Sequence, residues 1–397
     1  MSKIDDLIQE FCPDGVEYKR LGDLVNILDS QRKPIKKSLR SSGEIPYYGA
    51  NGIQDYVADW IFDGEFLLIG EDGSVINPNG SPVLNWAIGK IWVNNHAHIL
   101  SQSDNGPLLR YIYYAMQGID VTDIVRGTPP KLNQKNLRNL ELPVPPMEVQ
   151  QEIVRVLDSF AELEAELEAE LEARRRQYAY YRDQLLTFPE PDTHTHLSEQ
   201  IRWVTLGDIA VKATSGGTPR KSVRGYYEGG DIPWLRTQEV NYKDIYRVKE
   251  RITERGLRES SAKWIPENCV IVAISGASAG RCAINKIPLT TNQHCLNLEI
   301  DPSVALYKYV YYCVCNQHDE LIAKKEGARG DLNASRIKSL MIPLPSLEEQ
   351  QRIVDILDKF DALVNDISQG LPAEIETRRK QYEYYRDKLL TFKKKEN

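Results

Sequence analysis

Few groupings of residues in this 397-residue chain are placed for covalent chemistry. Gly276-Ala-Ser-Ala-Gly280 follows an apolar run, as a phosphate-cradling loop would, but no Lys-Ser/Thr pair closes it, so it is not a P-loop. Pro13-Asp14 followed by Glu17-Tyr18-Lys19 imitates the metal-holding acids of many nucleases. Two intervening residues are too few to bring those carboxylates from different strands. Thr128-Pro129-Pro130-Lys131 lacks both the carboxamide and the aromatic ring of an adenine amino-methylation motif. His96 with His98, and His194 with His196, could ligate a metal, but no Cys or carboxylate cluster accompanies either pair. The six cysteines contain no CxxC pair, which excludes a disulfide framework or a zinc site and predicts reduced, mostly buried thiols. No catalytic residue, cofactor or metal is therefore expected. Non-covalent recognition stays open. The net charge of −7 argues against nucleic acid, but it is unevenly spread. Glu148 to Phe188 carries ten acids and five bases, whereas Ile201 to Ser346 carries 21 bases and 15 acids.

The elements that would position such residues come in duplicate. Arg174-Arg-Arg-Gln-Tyr-Ala-Tyr-Tyr-Arg-Asp-Gln-Leu-Leu-Thr-Phe188 returns as Arg378-Arg-Lys-Gln-Tyr-Glu-Tyr-Tyr-Arg-Asp-Lys-Leu-Leu-Thr-Phe392. Leu142-Pro-Val-Pro145 with Gln150-Gln151 and Ile153-Val154 returns as Ile342-Pro-Leu-Pro345 with Gln350-Gln351 and Ile353-Val354. Fainter pairs are Leu21-Gly22-Asp23 with Leu206-Gly207-Asp208, Ile45-Pro46-Tyr47 with Ile232-Pro233-Trp234, and His96 with His294. Gly127 and Leu132-Asn133 likewise pair with Gly327 and Leu332-Asn333. The matches are colinear, which indicates a tandem duplication. The shared position of His96 and His294 favours a structural role over ligation, and the recurrence of Asn133 and Asn333 suggests a structural or backbone-positioning role rather than base reading.

Each copy reads as a strand-rich globular part followed by a long helix. Short β-branched and aromatic runs (Phe66 to Ile69, Lys90 to Val93, Val270 to Ile274) alternate with Gly, Asn and Pro clusters. From Glu148 to Phe188 no Gly or Pro interrupts, and apolar residues recur at three- and four-residue spacing, which predicts a helix of ~40 residues. In the second copy Ser346-Leu347-Glu348-Glu349 forms a capping box, and the stripe breaks at Gly370-Leu371-Pro372. The two stripes are expected to pack as an antiparallel coiled coil. Apolar runs fall far short of a membrane span, and the acidic N-terminus is unlike a signal peptide, so a cytoplasmic protein is expected.

These features carry a resemblance. The twofold repeat, the [LI]-P-x-P-x-x-x-x-Gln-Gln-x-Ile-Val start of each long helix, the Gln-Tyr-x-Tyr-Tyr-Arg-Asp ends and Gly216-Gly-Thr-Pro219 resemble the DNA-specificity subunits of type I restriction–modification systems. The resemblance spans essentially the whole chain. It implies an α+β architecture with two globular α/β target-recognition domains, separated by two long antiparallel coiled-coil helices in an internal pseudo-twofold repeat. The boundaries expected are an N-terminal segment 1–22, domains at 23–145 and 206–345, and helices at 146–190 and 346–392, the second broken near 370–372. A linker would occupy 191–205 and a tail 393–397. The resemblance further implies double-stranded DNA as ligand, two modification subunits and motor-nuclease restriction subunits as partners, and no activity in the chain alone.

DNA contacts are then expected from loops of the globular parts. In the first, the candidates are Arg32, Lys33, Lys36, Lys37 and Arg40, with Tyr48, Asn51 and Gln54, and the turn from Arg126 to Lys131. In the second they are Arg220, Lys221, Arg224, Arg236, Gln238, Arg329 and Asn333. The alternative is a stand-alone two-headed DNA-binding protein, such as a repressor. The near-identical helix ends favour the subunit, since two equal ends suit one partner docked twice.

Overall fold

The computed structural model describes residues 3–189, 201–323, 332–366 and 368–396. The chain divides into two units: residues 1–169 with 374–397, and residues 170–373. Each contains one globular part and a share of the helices. His194, His196, Gly327 and Arg329 lie outside the described residues, as does most of the expected linker.

In the first unit, β1 (Glu17–Arg20) pairs antiparallel with β8 (Glu141–Val144) in a ribbon that closes the globular part at its two ends. Between them lie β2 (Val25–Ile27), β3 (Ser42–Gly49), β4 (Gly52–Val57), β5 (Phe62–Gly70), β6 (Leu84–Val93) and β7 (Ala97–Gln102). They form one mixed sheet in the order β2-β7-β5-β6-β3-β4. Its central strand β5 reads Phe66-Leu-Leu-Ile69, buried on both faces, which is why it is a continuous apolar run rather than an alternating one.

The second unit repeats this plan. Its ribbon is β9 (Arg202–Thr205) with β19 (Met341–Leu344). The strands between are β10 (Ala210–Ser215), β11 (Ile232–Leu235), β12 (Asp244–Ile245), β13 (Glu250–Ile252), β14 (Trp264–Ile265), β15 (Val270–Ala273), β16 (Cys282–Asn285), β17 (Leu289–Thr291) and β18 (Cys295–Ile300). They form two sheets, β10-β18-β15-β16-β12 and β13-β11-β17-β14. The parallel pairing Tyr47–Trp92 of β3 and β6 recurs as Trp234–Thr290 of β11 and β17, so the faint sequence repeat is a repeat of register.

The Pro-x-Pro and Gln-Gln signature proves to be a joint between globular part and helix. Gln150 and Gln350 are buried. Each accepts a backbone N–H at the start of a globular-part helix (Leu108 and Leu306, both 2.9 Å) and donates to the Pro145 or Pro345 carbonyl (2.7 and 2.9 Å). One side chain thus satisfies a helix N–H that has no partner in its own helix, together with a loop carbonyl. Tyr111 and Tyr309 hydrogen-bond Pro143 and Pro343 at 2.9 Å in both copies.

The long helix runs Met147–Leu186, 40 residues as its sequence predicts. In the first unit it runs antiparallel to the helix Leu371–Leu390: Phe160 stacks on Tyr385, and Arg379 bridges Glu164 and Glu168. In the second unit Tyr178 and Tyr181 stack on Phe360 of the helix Leu347–Asn365. One local expectation needs correction. Ser346 caps the Glu349 N–H, but the Glu349 carboxylate turns to Arg352, so only half of the capping box forms. On the long helix, Glu170 pairs with Arg174 and Glu172 with Arg175. The described helices contain no segment long and apolar enough to cross a membrane.

Candidate nucleic-acid interface

In each unit, corresponding chain segments converge at one end of the central strand. In the first, the turn Asn94–His96 joins β6 to β7 across the end of β5. Its Asn94 N–H donates to the Tyr48 carbonyl (3.0 Å), and the His96 carbonyl accepts from the Glu71 N–H (2.8 Å). The buried Asn94 side chain accepts the His96 N–H at 2.8 Å and donates to Gln54 at 3.3 Å. In the second, Asn292–His294 joins β17 to β18 across the end of β15. Asn292 donates to the Leu235 carbonyl (3.0 Å), and His294 accepts from Ile274 (2.8 Å). The Asn292 side chain accepts the His294 N–H at 3.2 Å and donates to Thr237 at 3.0 Å. The recurrence of the histidine therefore reflects a repeated Asn-x-His turn. The asparagine, absent from the sequence argument, is what fixes it.

Behind the first turn lies a buried charged network. His98 is fully buried, with Nδ1 2.6 Å from Asp29 and Nε2 2.8 Å from the Leu132 carbonyl. Both nitrogens lie within hydrogen-bond distance of a protein oxygen. Glu71 is held by Arg32 (2.6 Å) and Lys131 (2.9 Å), and Asp29 also accepts from Gln134 at 2.8 Å. Burial alone would push both carboxyls up. For Asp29 the His98 and Gln134 hydrogen bonds and Arg32 outweigh burial, and for Glu71 the Arg32 and Lys131 contacts do, so both sit below their ordinary values. The expectation that no carboxylate accompanies the His96/His98 pair is thus overturned, because Asp29 and Glu71 come from elsewhere in the sequence. Ligand atoms of Asp29, Glu71 and His98 lie within 4.8 Å of one another. These groups are already met by protein partners, Glu71 by Arg32 and Lys131 and Asp29 by His98 and Gln134, which makes the cluster a network of internal contacts. In the second unit the same register positions are Ser215, Ile274 and Leu296, with Thr218 in the place of Arg32.

The sequence-derived contact residues separate into two groups. Lys33, Lys36, Lys37, Asn51, Gln54, Arg126 and Lys131 are exposed in the first unit, as are Arg220, Lys221, Arg224 and Gln238 in the second. Of these, Lys131 is also tied to Glu71. Others are committed inward. Arg32, with 13% of its side chain exposed, also donates to the Ala97 carbonyl. Arg40 pairs with Asp55 at 3.0 Å over the Tyr47 ring, and Arg236 pairs with Glu250. Tyr48 is buried in β3, where its apolar neighbours want it. Asn133 and Asn333 cap short helices by accepting the Asn136 and Arg336 N–H groups at 2.9 Å, a structural role in both copies. Gly216 and Gly217 pass so close to neighbouring backbone that a Cβ would lie 2.0 Å from the Thr291 carbonyl oxygen and 2.3 Å from the Ala262 nitrogen. Their close approach brings Thr218 to the turn, where it bonds Gln293.

Comparison with known proteins agrees with this duplicated architecture. Residues 13–173 and 199–377 each match the type I restriction modification DNA specificity domain. The chain is 36% identical over 393 residues to S.HindORF215P of Haemophilus influenzae, assigned as a type I restriction enzyme specificity subunit, covering 95% of this chain and 96% of that one. It is 38% identical over 311 residues to the EcoR124I/EcoR124II specificity subunit of Escherichia coli, covering 75% and 74%. The fold matches the crystal structure of an S subunit from M. genitalium with a TM-score of 0.62 at 15% identity, over 95% of this chain and 96% of that one. A duplicated domain-and-helix unit, the signature joint in both copies and matches along almost the whole length leave one conclusion: this chain belongs to the type I restriction–modification DNA specificity family.

Proposed function

We propose that this chain supplies sequence recognition to a type I restriction–modification complex, each globular part reading one half of a split duplex target. The observation that carries the reading is the repetition of one clamped turn in two globular parts that otherwise differ in side chains, each of which also carries exposed Lys or Arg residues. Lys33, Lys36 and Lys37 in one unit, and Arg220, Lys221 and Arg224 in the other, meet phosphates, and polar side chains on the turns meet base edges. The modification subunits dock on the helices. Tyr180 and Tyr384 are 62% and 64% exposed, and Tyr181 and Tyr385 both 40%, so two copies of one aromatic surface await one partner twice. The restriction subunits join that assembly. A lone repressor would have no use for two matched helix ends.

Exchange of residues 23–141 for the matching part of a relative should change one half of the methylated motif and leave the other intact. Methylome sequencing of cells with and without this gene, and with the exchanged gene, reads both outcomes. A motif that survives deletion of the gene refutes the assignment, and an exchange that alters both halves refutes the division of labour. The purified chain alone should neither methylate nor cleave DNA, with or without methyl donor, Mg²⁺ and ATP. Turnover by a preparation free of partner subunits would contradict this.

A further inference from the structure

The two clamped turns differ in what they present. Asn95 stands exposed on one and Gln293 on the other, at the same place between the fixed asparagine and the histidine. Gln293 is the more constrained. The Thr218 hydroxyl donates to its Oε1, and its Nε2 donates to the His294 ring nitrogen at 3.2 Å. Thr218 is itself held in place by the close-passing Gly216 and Gly217, with Gly217 bonded to Thr291 (2.9 Å) and its carbonyl to Trp234 (2.9 Å). The amide is therefore held between two partners before any ligand arrives.

A primary amide has two N–H donors and two acceptor lone pairs. One of each is used by His294 and Thr218. One N–H and one lone pair remain for a ligand. That pair complements the major-groove edge of adenine, where N7 accepts and the N6 amino group donates. Guanine presents two acceptors there, and cytosine offers only a donor, so neither satisfies both groups. Resting on the assignment of the second globular part as a DNA reader, we propose that Gln293 is a specificity-determining residue that reads one adenine of its half-target, with Thr218 and His294 as positioning residues.

Full-length variants expressed with their partner subunits test this by methylome sequencing. Gln293→Ala should keep both half-motifs recognisable but relax one adenine position in a single half, with preference there falling on the order of 10- to 100-fold. Gln293→Glu, whose carboxylate only accepts, should turn away from adenine at that position rather than merely relax it. Thr218→Val should relax the same position less, because the amide loses its orienting donor and not its own groups. Asn95→Ala should leave that position untouched and relax one in the other half. Gln293 is exposed, so these changes spare the core. Wild-type specificity in Gln293→Ala and Gln293→Glu at every position would overturn the proposal while leaving the recognition function standing. If deletion of the whole gene removed no split motif, the recognition function would fail and the proposal with it.

Discussion

Deletion of residues 165–168 should leave both half-motifs unchanged and shorten the unspecified spacer between them by roughly one to two base pairs. Residues 161–172 are three copies of Ala-Glu-Leu-Glu inside the continuous helix Met147–Leu186. Four helical residues rise ~6 Å, against 3.4 Å per base pair of duplex. The seam tolerates the loss because the repeat regenerates itself. Leu163 and Leu167 are half-buried and Leu171 is buried, and removing one copy moves the next leucine into the vacated position. The glutamates move with it, so Arg379 still finds acids at the places of Glu164 and Glu168. Four residues exceed one helical turn only slightly, a small stutter. The break between the two partner helices, of which one ends at Asn365 and the other begins at Leu371, gives slack to absorb it. Methylome sequencing of the deletion strain decides. An unchanged spacer, or altered half-motifs with normal folding, would show that this repeat does not set the spacing.

The buried network of the first unit should show the opposite behaviour, intolerant of single changes and tolerant of concerted ones. Glu71→Ala strands Arg32 in a largely buried position, and His98→Leu removes the ring that contacts both Asp29 and the Leu132 carbonyl. Breaking a buried charged pair from one side costs about 3–5 kcal/mol. The second unit builds the same strand ends with Ser215, Thr218, Ile274 and Leu296. Joint replacement Asp29→Ser, Arg32→Thr, Glu71→Ile and His98→Leu should therefore recover most of the loss from either single change. Thermal or urea unfolding of the full chain measures this, and a fourfold variant no better than His98→Leu would rule it out. The pH dependence follows from the direction of the shifts. Asp29 and Glu71 are held below their ordinary values, so the unfolded chain binds protons first as pH falls. Their contribution is complete above the ordinary carboxylate range near ~4 and is lost as pH drops through the folded values. The fourfold variant should lose that acid sensitivity.

The helices and the duplication were legible in the sequence because they rest on local rules: three- and four-residue apolar spacing, absence of Gly and Pro, and repeated short motifs. The continuous run at Phe66 to Ile69 also announced a buried strand. The site was less legible, because its parts are far apart in sequence. Asp29, Glu71, His98 and Leu132 meet only when β2, β5, β7 and the segment after β7 are folded together. Arg32 looked like a phosphate contact because its charge was visible and its buried acids were not. Tyr48 looked like a DNA contact, but its place in β3 turned it into the core. Gln293 gave no signal of its own, since its orientation depends on Thr218, 75 residues earlier. The one clue was the spacing Asn94-x-His96 and Asn292-x-His294, of which the histidines alone had been matched.

The paired ribbons at the feet of the globular parts have a consequence for how such chains can vary. Opposed residues of an antiparallel pair lie about 5 Å apart, so each globular part begins and ends at nearly the same point. From Arg20 to Glu141 the first part covers 121 positions, and from Thr205 to Met341 the second covers 136. Yet both ribbons keep four residue pairs in the same antiparallel register. The fifteen extra residues are absorbed wholly above the ribbon, and the helix that follows receives the chain in the same way. Each globular part is a cassette with a fixed foot, free to grow, shrink or change its reading loops while the scaffold beneath it stays in step.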